Sequence, residues 1–215
     1  IIMMYINNNE NTKIKICGMR RLEDIEIANE LLPDYIGFVF VKGRQRYVSA
    51  ETAKALKGAL DESIKAVGVF VDESVGTIAQ IANDGIIDVI QLHGSEDETY
   101  IKSLRTLTGK PIIKCFVVKD NPLTADYENC SADLLLIDAG AGDGKTFDWQ
   151  LLEGIRRPFF LAGGLSQDNA QQALERTVEL QPESVVALNY LIHNASGEED
   201  YEAAEDYLSQ IIDHE

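Results

Sequence analysis

Short apolar runs recur along the chain at a regular spacing. Each holds four to seven residues and is rich in β-branched or aromatic side chains. Runs that are apolar on both faces are typical of parallel strands covered on both sides. The pattern predicts eight strands, whose first residues are 22 to 30 positions apart: Lys13–Cys17, Tyr35–Phe40, Lys65–Val71, Val89–Leu92, Ile112–Val117, Leu134–Asp138, Phe159–Ala162 and Val185–Asn189.

The segments between the strands carry helical patterns. Apolar residues spaced three and four positions apart predict a helix after the first strand, because such positions form one stripe. The members of this stripe are Leu22, Ile25, Ala28 and Leu32. A last helix is predicted around Tyr201–Ile212 by the same criterion.

Three of the predicted helices have recognisable start signals. Ser49 and Ser74 precede helical segments and are expected to cap them, because a serine hydroxyl accepts a bond from the first free backbone N–H groups. Ser95 and Glu98 have the spacing of a capping box. These signals place a helix after the second, third and fourth strands.

Eight strand–helix units predict a (β/α)₈ TIM barrel in the α/β class. A doubly wound open sheet is the alternative, but such sheets usually hold fewer strands and repeat less evenly. No linker interrupts the pattern, so residues 12–215 are expected to form one barrel domain, and residues 1–11 a frayed N-terminal extension. Active sites of such barrels lie at the carboxyl ends of the strands, and phosphate commonly sits after strands seven and eight.

The charge balance excludes two kinds of partner. The chain has 19 basic and 36 acidic residues and a net charge of −17. So acidic a protein is not expected to bind nucleic acid or an anionic membrane. No apolar run is long enough to cross a bilayer, and the first residues do not resemble a signal peptide. Three widely spaced cysteines predict a reducing, cytoplasmic setting rather than a disulfide framework.

Chemically useful residues stand where the predicted strands end. They are Cys17 with Gly18 after the first strand, Arg44 and Arg46 after the second, Gln91 and His93 at the fourth, Asp138 at the sixth and Gly163 with Gly164 at the seventh. Each also has a structural interpretation: a buried thiol, surface arginines, a hydrogen-bonded histidine or a turn aspartate. The paired glycines are more specific, because they bring backbone N–H groups towards an anion. Cys115 and Cys130 are interpreted as structural.

Six motifs occur in an order that resembles one enzyme family. They are "KICGMR", "DYIGFVF…RQRYVS", "VGVFVDE", "VIQLHG", "LLLIDAGAGDGKTFDW" and "FFLAGGLSQDNA". In this order and spacing they resemble phosphoribosylanthranilate isomerase of tryptophan biosynthesis, over nearly the whole chain. The resemblance implies an Amadori rearrangement of N-(5-phosphoribosyl)anthranilate, a phosphosugar, to 1-(2-carboxyphenylamino)-1-deoxyribulose 5-phosphate, without metal or nucleotide cofactor.

The resemblance also implies roles for particular residues. Cys17 matches the family's general base and Asp138 its general acid, two groups that suffice for this reaction. Arg46 is implied to bind the anthranilate carboxylate, while Gln91 and His93 line the substrate pocket. The phosphate is implied to lie on backbone amides of Gly142, Gly144, Gly163 and Gly164.

Four positions depart from the family pattern. Ala187 and Tyr190 replace an aspartate and a serine of the eighth strand and its turn, Asp143 replaces a small hydroxyl residue of the phosphate loop, and Arg44 replaces a serine. They leave two alternatives to the isomerase open: a related barrel enzyme acting on another phosphosugar amine, and a non-catalytic barrel that binds a ligand. Both a monomer and a homodimer are compatible with the sequence.

Overall fold

The strands of the computed structural model close into a barrel. The structure describes residues 13–118, 127–138, 148–165, 169–180, 184–189, 192–193 and 199–200. Eight parallel strands pair in sequence order, and the last pairs with the first. They are β1 (Lys13–Cys17), β2 (Tyr35–Val39), β3 (Lys65–Phe70), β4 (Val89–Leu92), β5 (Ile112–Val117), β6 (Leu134–Asp138), β7 (Phe159–Ala162) and β8 (Val185–Asn189). The predicted (β/α)₈ barrel is confirmed, and six of the eight predicted strands keep their bounds.

Helices separate most of these strands. They are α1 (Leu22–Leu31), α2 (Ala50–Ala59), α3 (Val75–Asn83), α4 (Glu98–Arg105) and α5 (Ala170–Leu180), with a 3₁₀ turn at Trp149–Leu152 and an antiparallel pair, β9 (Ile192–His193) with β10 (Glu199–Asp200). The predicted N-terminal extension and last helix lie outside the described residues. None of the described helices is both long and apolar enough to span a bilayer.

Two of the three predicted helix starts are confirmed. Ser49 and Ser74 accept bonds from the backbone N–H groups of the residues three positions later. The capping box predicted at Ser95 is wrong, because the N-cap of α4 is Asp97, whose carboxylate accepts the N–H of Tyr100 at 2.8 Å. The Ser95 hydroxyl donates instead to another loop.

The predicted stripe of α1 is only half buried. Ile25 and Ala28 are fully buried against the barrel, whereas Leu22 and Leu32 are 52% and 49% exposed. Leu32 takes a left-handed conformation as the C-cap, so it leaves the helical stripe. The inward face of α1 is therefore narrower than the spacing predicts.

Alternate strand residues divide the apolar side chains between two cores. Residues that point outwards, such as Ile16, Phe38 and Leu92, belong to the larger core between barrel and helices. A second cluster fills the barrel interior and includes Val67 and Phe160. Interior and exterior positions alternate along each strand because successive side chains point to opposite faces.

The barrel interior also holds a charged side chain. Lys15 lies on β1 between outward-facing isoleucines and is 1% exposed. Its Nζ donates to Gln91 Oε1 at 2.9 Å, the single hydrogen bond found for this ammonium among the described residues. Its register partner on β8 is Ala187, which offers no charge. Among the described residues, the hydrogen-bond partner of this buried ammonium is therefore a neutral amide.

We expect Ala187→Asp to raise the free energy of unfolding by about 1–3 kcal/mol relative to Ala187→Asn, because a carboxylate beside Lys15 adds a charge-assisted bond. Thermal and urea unfolding of the two variants measures the difference. The asparagine variant controls for side-chain volume, and equal stabilities would contradict a charged, under-compensated Lys15.

Candidate active site

The carboxyl ends of the strands form a mouth lined by the predicted polar residues. Inward positions near this end include Cys17 on β1, Asp138 on β6 and His93 just after β4. β7 and β8 separate the strand that carries Asp138 from the strand that carries Cys17. The thiol and the carboxyl therefore approach the mouth from different sides.

The Cys17 thiol occupies space that a glycine leaves open. A Cβ at Gly37, on the neighbouring strand, would lie 2.6 Å from Cys17 Sγ. The Gly37 carbonyl also accepts the backbone N–H groups of Gly18 and Met19, which fixes the chain as it leaves β1. Cys17 itself is only partly buried, and its side chain lies on the inward face of β1.

Arg46 lies directly over the end of β1. Its Nη1 donates to the Cys17 carbonyl at 3.3 Å. A Cβ at Gly18 would stand 2.5 Å from Arg46 Cδ, and Gly18 has a φ of +109°, so both space and backbone conformation favour glycine there. A guanidinium is thus held against the backbone at the end of β1. Arg44 is exposed on the same loop.

A row of polar contacts leads from the barrel interior to Asp138. Gln91 accepts from Lys15 through Oε1, and its Nε2 lies 2.8 Å from His93 Nδ1. On the other side of the ring, His93 Nε2 lies 3.3 Å from Asp138 Oδ2. The side chains of His93 and Asp138 are 28% and 18% exposed, so both face the mouth. We call Lys15, Gln91, His93 and Asp138 the polar row.

Cys115 lies next to His93 of the polar row. Its sulfur is 3.6 Å from His93 Nε2 and the residue is buried. Burial, and then the Asp138 carboxylate, raise the pKa of this thiol above its ordinary value. Burial also raises the pKa of the Cys130 thiol. Both cysteines therefore remain thiols at neutral pH, in keeping with the structural role expected for them.

Three potential metal ligands meet at this point of the mouth. His93, Cys115 and Asp138 each offer one atom, and these atoms lie within 4.8 Å of one another. Such spacing is compatible with a metal ion if the histidine nitrogen offers a lone pair. Which ring nitrogen carries the proton therefore decides what this cluster can do.

Ion pairs and hydrogen bonds fix the loop that follows β4. The Glu96 carboxylate is buried and accepts the backbone N–H groups of Asp72 and Gly94, each at 2.8 Å. Lys114 Nζ lies 3.0 Å from Glu96 and donates to the Gly94 carbonyl at 2.7 Å. Ser95 donates through both its N–H and its hydroxyl to Asp72, which lowers the pKa of that carboxyl.

The turn after β7 has the conformation that its glycines predict. Gly163 and Gly164 have φ values of +86° and +65°, where other residues are strained. Asn169 holds the turn through a bond to the Gly164 carbonyl at 3.0 Å. The other expected phosphate-binding glycines, Gly142 and Gly144, lie outside the described residues, as do Asp143 and Tyr190.

The contact of Lys15 with the candidate site was not predicted from the sequence. The alternation of Lys13 and Lys15 with isoleucines suggests a strand with one solvated face, whereas barrel closure turns Lys15 inwards. Gln91 and His93 are two residues apart and so share the inward face of β4. That spacing was a usable signal for their contact. No sequence signal links them to Lys15 or to Cys115.

Comparison with known proteins gives a consistent result. The family model described as N-(5'phosphoribosyl)anthranilate (PRA) isomerase matches residues 14–185. The chain is 44% identical over 169 residues to the N-(5'-phosphoribosyl)anthranilate isomerase of Endomicrobium trichonymphae, which covers 76% of this chain and 82% of that relative.

Two solved structures resemble the barrel. The phosphoribosyl anthranilate isomerase of Thermus thermophilus superposes with a TM-score of 0.76 at 28% identity, over 93% of this chain and 98% of that one. A second phosphoribosyl anthranilate isomerase was solved with reduced 1-(o-carboxyphenylamino)-1-deoxyribulose 5-phosphate. It gives a TM-score of 0.73 at 26% identity, over 93% and 97% of the two chains.

Proposed function

Since the chain belongs to the N-(5'-phosphoribosyl)anthranilate isomerase family, we propose that it performs the Amadori rearrangement of that substrate with Cys17 as base and Asp138 as acid. The observation that carries the proposal is the placement of one partly buried cysteine and one partly exposed carboxyl on different sides of the same mouth. General acid–base isomerisation needs two such groups, one on either side of the substrate.

The acid acts first. Asp138, in its protonated form, donates to the ring oxygen of the sugar, and the carbon–oxygen bond at C1 breaks to give the open Schiff base. Its carboxylate is left within 3.3 Å of His93 Nε2, whose N–H can stabilise the new charge. A carboxylic acid serves as a donor near neutral pH only where its surroundings maintain the protonated form.

The base acts on the opened sugar. The Cys17 thiolate takes the proton from C2, and the resulting enolamine tautomerises to the ketone. Ketone formation adds a proton to C1 from the Cys17 thiol and returns the proton of the C2 hydroxyl to Asp138. Both groups regain their starting forms, so the reaction needs no oxidant or reductant. The guanidinium of Arg46 bonds the Cys17 carbonyl and so holds the end of β1 that carries this base.

Arg46 has a second use in this proposal. Its guanidinium can meet the anthranilate carboxylate through paired bonds, the geometry for which arginine is suited. The left-handed turn at Gly163 and Gly164 directs backbone amides towards the phosphate, as turns of this kind commonly do. Gln91 and His93 line the same pocket. A phosphosugar is the expected ligand, with no nucleic acid or membrane partner.

Turnover of freshly prepared N-(5-phosphoribosyl)anthranilate is the direct test. We expect the purified chain to remove the anthranilate fluorescence of this substrate with saturable kinetics. The double variant Cys17→Ala/Asp138→Asn is the matched blank for spontaneous decay. A chain that processes another phosphosugar amine but not this one would establish the related-enzyme alternative, and a chain that binds without turnover would establish the binding barrel.

A further inference from the structure

The contacts of the polar row form one continuous path through the barrel interior. It begins at the buried Lys15 ammonium, crosses the Gln91 amide and the His93 ring, and ends at the Asp138 carboxylate. Gln91 is 2% exposed, so its amide cannot turn to solvent for a different partner. Each contact therefore constrains the next.

The ammonium fixes the orientation of the amide. A protonated lysine has three donors and no acceptor, so only the carbonyl oxygen of Gln91 can face it. Turning the amide over would place an NH₂ group against the charged Nζ and leave a buried donor unsatisfied, which is costly. The Gln91 NH₂ group is thereby directed at His93.

The amide in turn fixes the tautomer of His93. An NH₂ group at 2.8 Å from Nδ1 requires that nitrogen to accept, so Nδ1 carries no proton. A neutral ring then has its proton on Nε2. That N–H faces Asp138 Oδ2 at 3.3 Å and Cys115 Sγ at 3.6 Å, and a carboxyl oxygen is a better acceptor than a thiol sulfur.

We propose that Lys15 and Gln91 are positioning residues that hold His93 as its Nε2–H tautomer, so that His93 donates to Asp138 and orients the acid. The proposal deepens the function proposed above and rests on it for the role of Asp138, but the tautomer itself does not depend on that function. The same tautomer leaves no lone pair on Nε2, so the cluster of His93, Cys115 and Asp138 is closed to metal ions.

Nitrogen NMR of the imidazole rings measures the tautomer directly. The chain has three histidines, and the His93 signals are assigned by their loss in His93→Gln. At the alkaline end of a pH titration we expect the unprotonated nitrogen of His93 to be Nδ1. A proton on Nδ1 and none on Nε2 would overturn the proposal, whatever the enzyme's activity.

Gln91→Glu separates the effect of the amide from that of Asp138. A carboxylate at position 91 still accepts from Lys15 but cannot donate to the ring, so we expect Nδ1 to gain a proton. Cys115→Ala is the matched control, because it removes a neighbour of Nε2 that lies outside the row, and it should leave Nδ1 unprotonated. An unprotonated Nδ1 in Gln91→Glu would show that Gln91 does not set the tautomer.

Steady-state kinetics test whether the Nε2–H group of His93 orients Asp138 for catalysis. We expect His93→Leu to lower kcat about 10- to 100-fold while KM changes little, since misorientation of a catalytic group is costly. His93→Gln, whose amide nitrogen can replace Nε2–H, should recover part of that loss. Equal kcat in the two variants, or a loss confined to KM, would overturn the positioning role while leaving the proposed reaction standing.

Discussion

We expect Cys17→Ala to lower kcat by ~10²–10⁴-fold, the usual effect of removing a general base. The reason is that Cys17 is the one cysteine that is not buried: Cys115 and Cys130 are both buried, and burial raises their pKa values. Steady-state assays that follow anthranilate fluorescence measure the loss.

Two further variants make this result specific. Cys17→Ser keeps a hydroxyl of similar size that does not ionise near neutral pH, so it should be as inactive as the alanine variant. Cys130→Ala removes a buried thiol and should keep parental kcat. The loss of one sulfur beside Gly37 costs about 1 kcal/mol in packing, so Cys17→Ala should unfold cooperatively. Near-parental turnover in a folded Cys17→Ala would refute the base assignment.

Asp138→Asn is expected to reduce kcat by a similar ~10²–10⁴-fold with KM little changed. The amide keeps the shape of the side chain and its contact with His93 but has no proton of suitable acidity to donate. Comparison of kcat and KM across the two proteins provides the measurement, and circular dichroism verifies the fold.

An acid and a binding residue respond differently to this change. A variant that turned over normally at saturation but needed much more substrate would identify Asp138 as a binding group. Asp133→Asn is a suitable control, because that aspartate precedes the same strand at its amino end and bonds Arg105 instead. Asp133→Asn should lower the free energy of unfolding and leave kcat unchanged.

The strands were predictable because burial on two sides leaves a strong pattern. Runs such as Phe159–Ala162 need apolar residues towards both the interior and the helices, and that requirement is visible in the sequence. The residues at which helices begin were harder to predict from the sequence than the strands. Ser95 fits a capping box by spacing, yet Asp72 competes for its hydroxyl, and Asp97 caps α4 instead.

The geometry of the candidate site was predictable only where a residue stands at a strand end or in the loop that follows it. Cys17 and Asp138 end β1 and β6, and His93 directly follows β4. Arg46 lies in the loop after β2, and barrel topology brings all of these loops and strand ends to one mouth. The polar row was not predictable, because the contact of Lys15 with Gln91 joins residues 76 positions apart and depends on barrel closure. The sequence pattern predicts that a lysine at such a position is exposed to solvent, whereas closure of the barrel buries it.

The anchoring of the loop after β4 has a consequence for substrate association. Glu96 and Asp72 accept four donors from this loop and its neighbour, all of them groups of the chain itself. Fixing a backbone residue costs about 1–2 kcal/mol of conformational entropy, and here that loss accompanies folding rather than the encounter with substrate. The loop that carries His93 is therefore expected to bind without induced fit and to add no slow closing step of its own to substrate association.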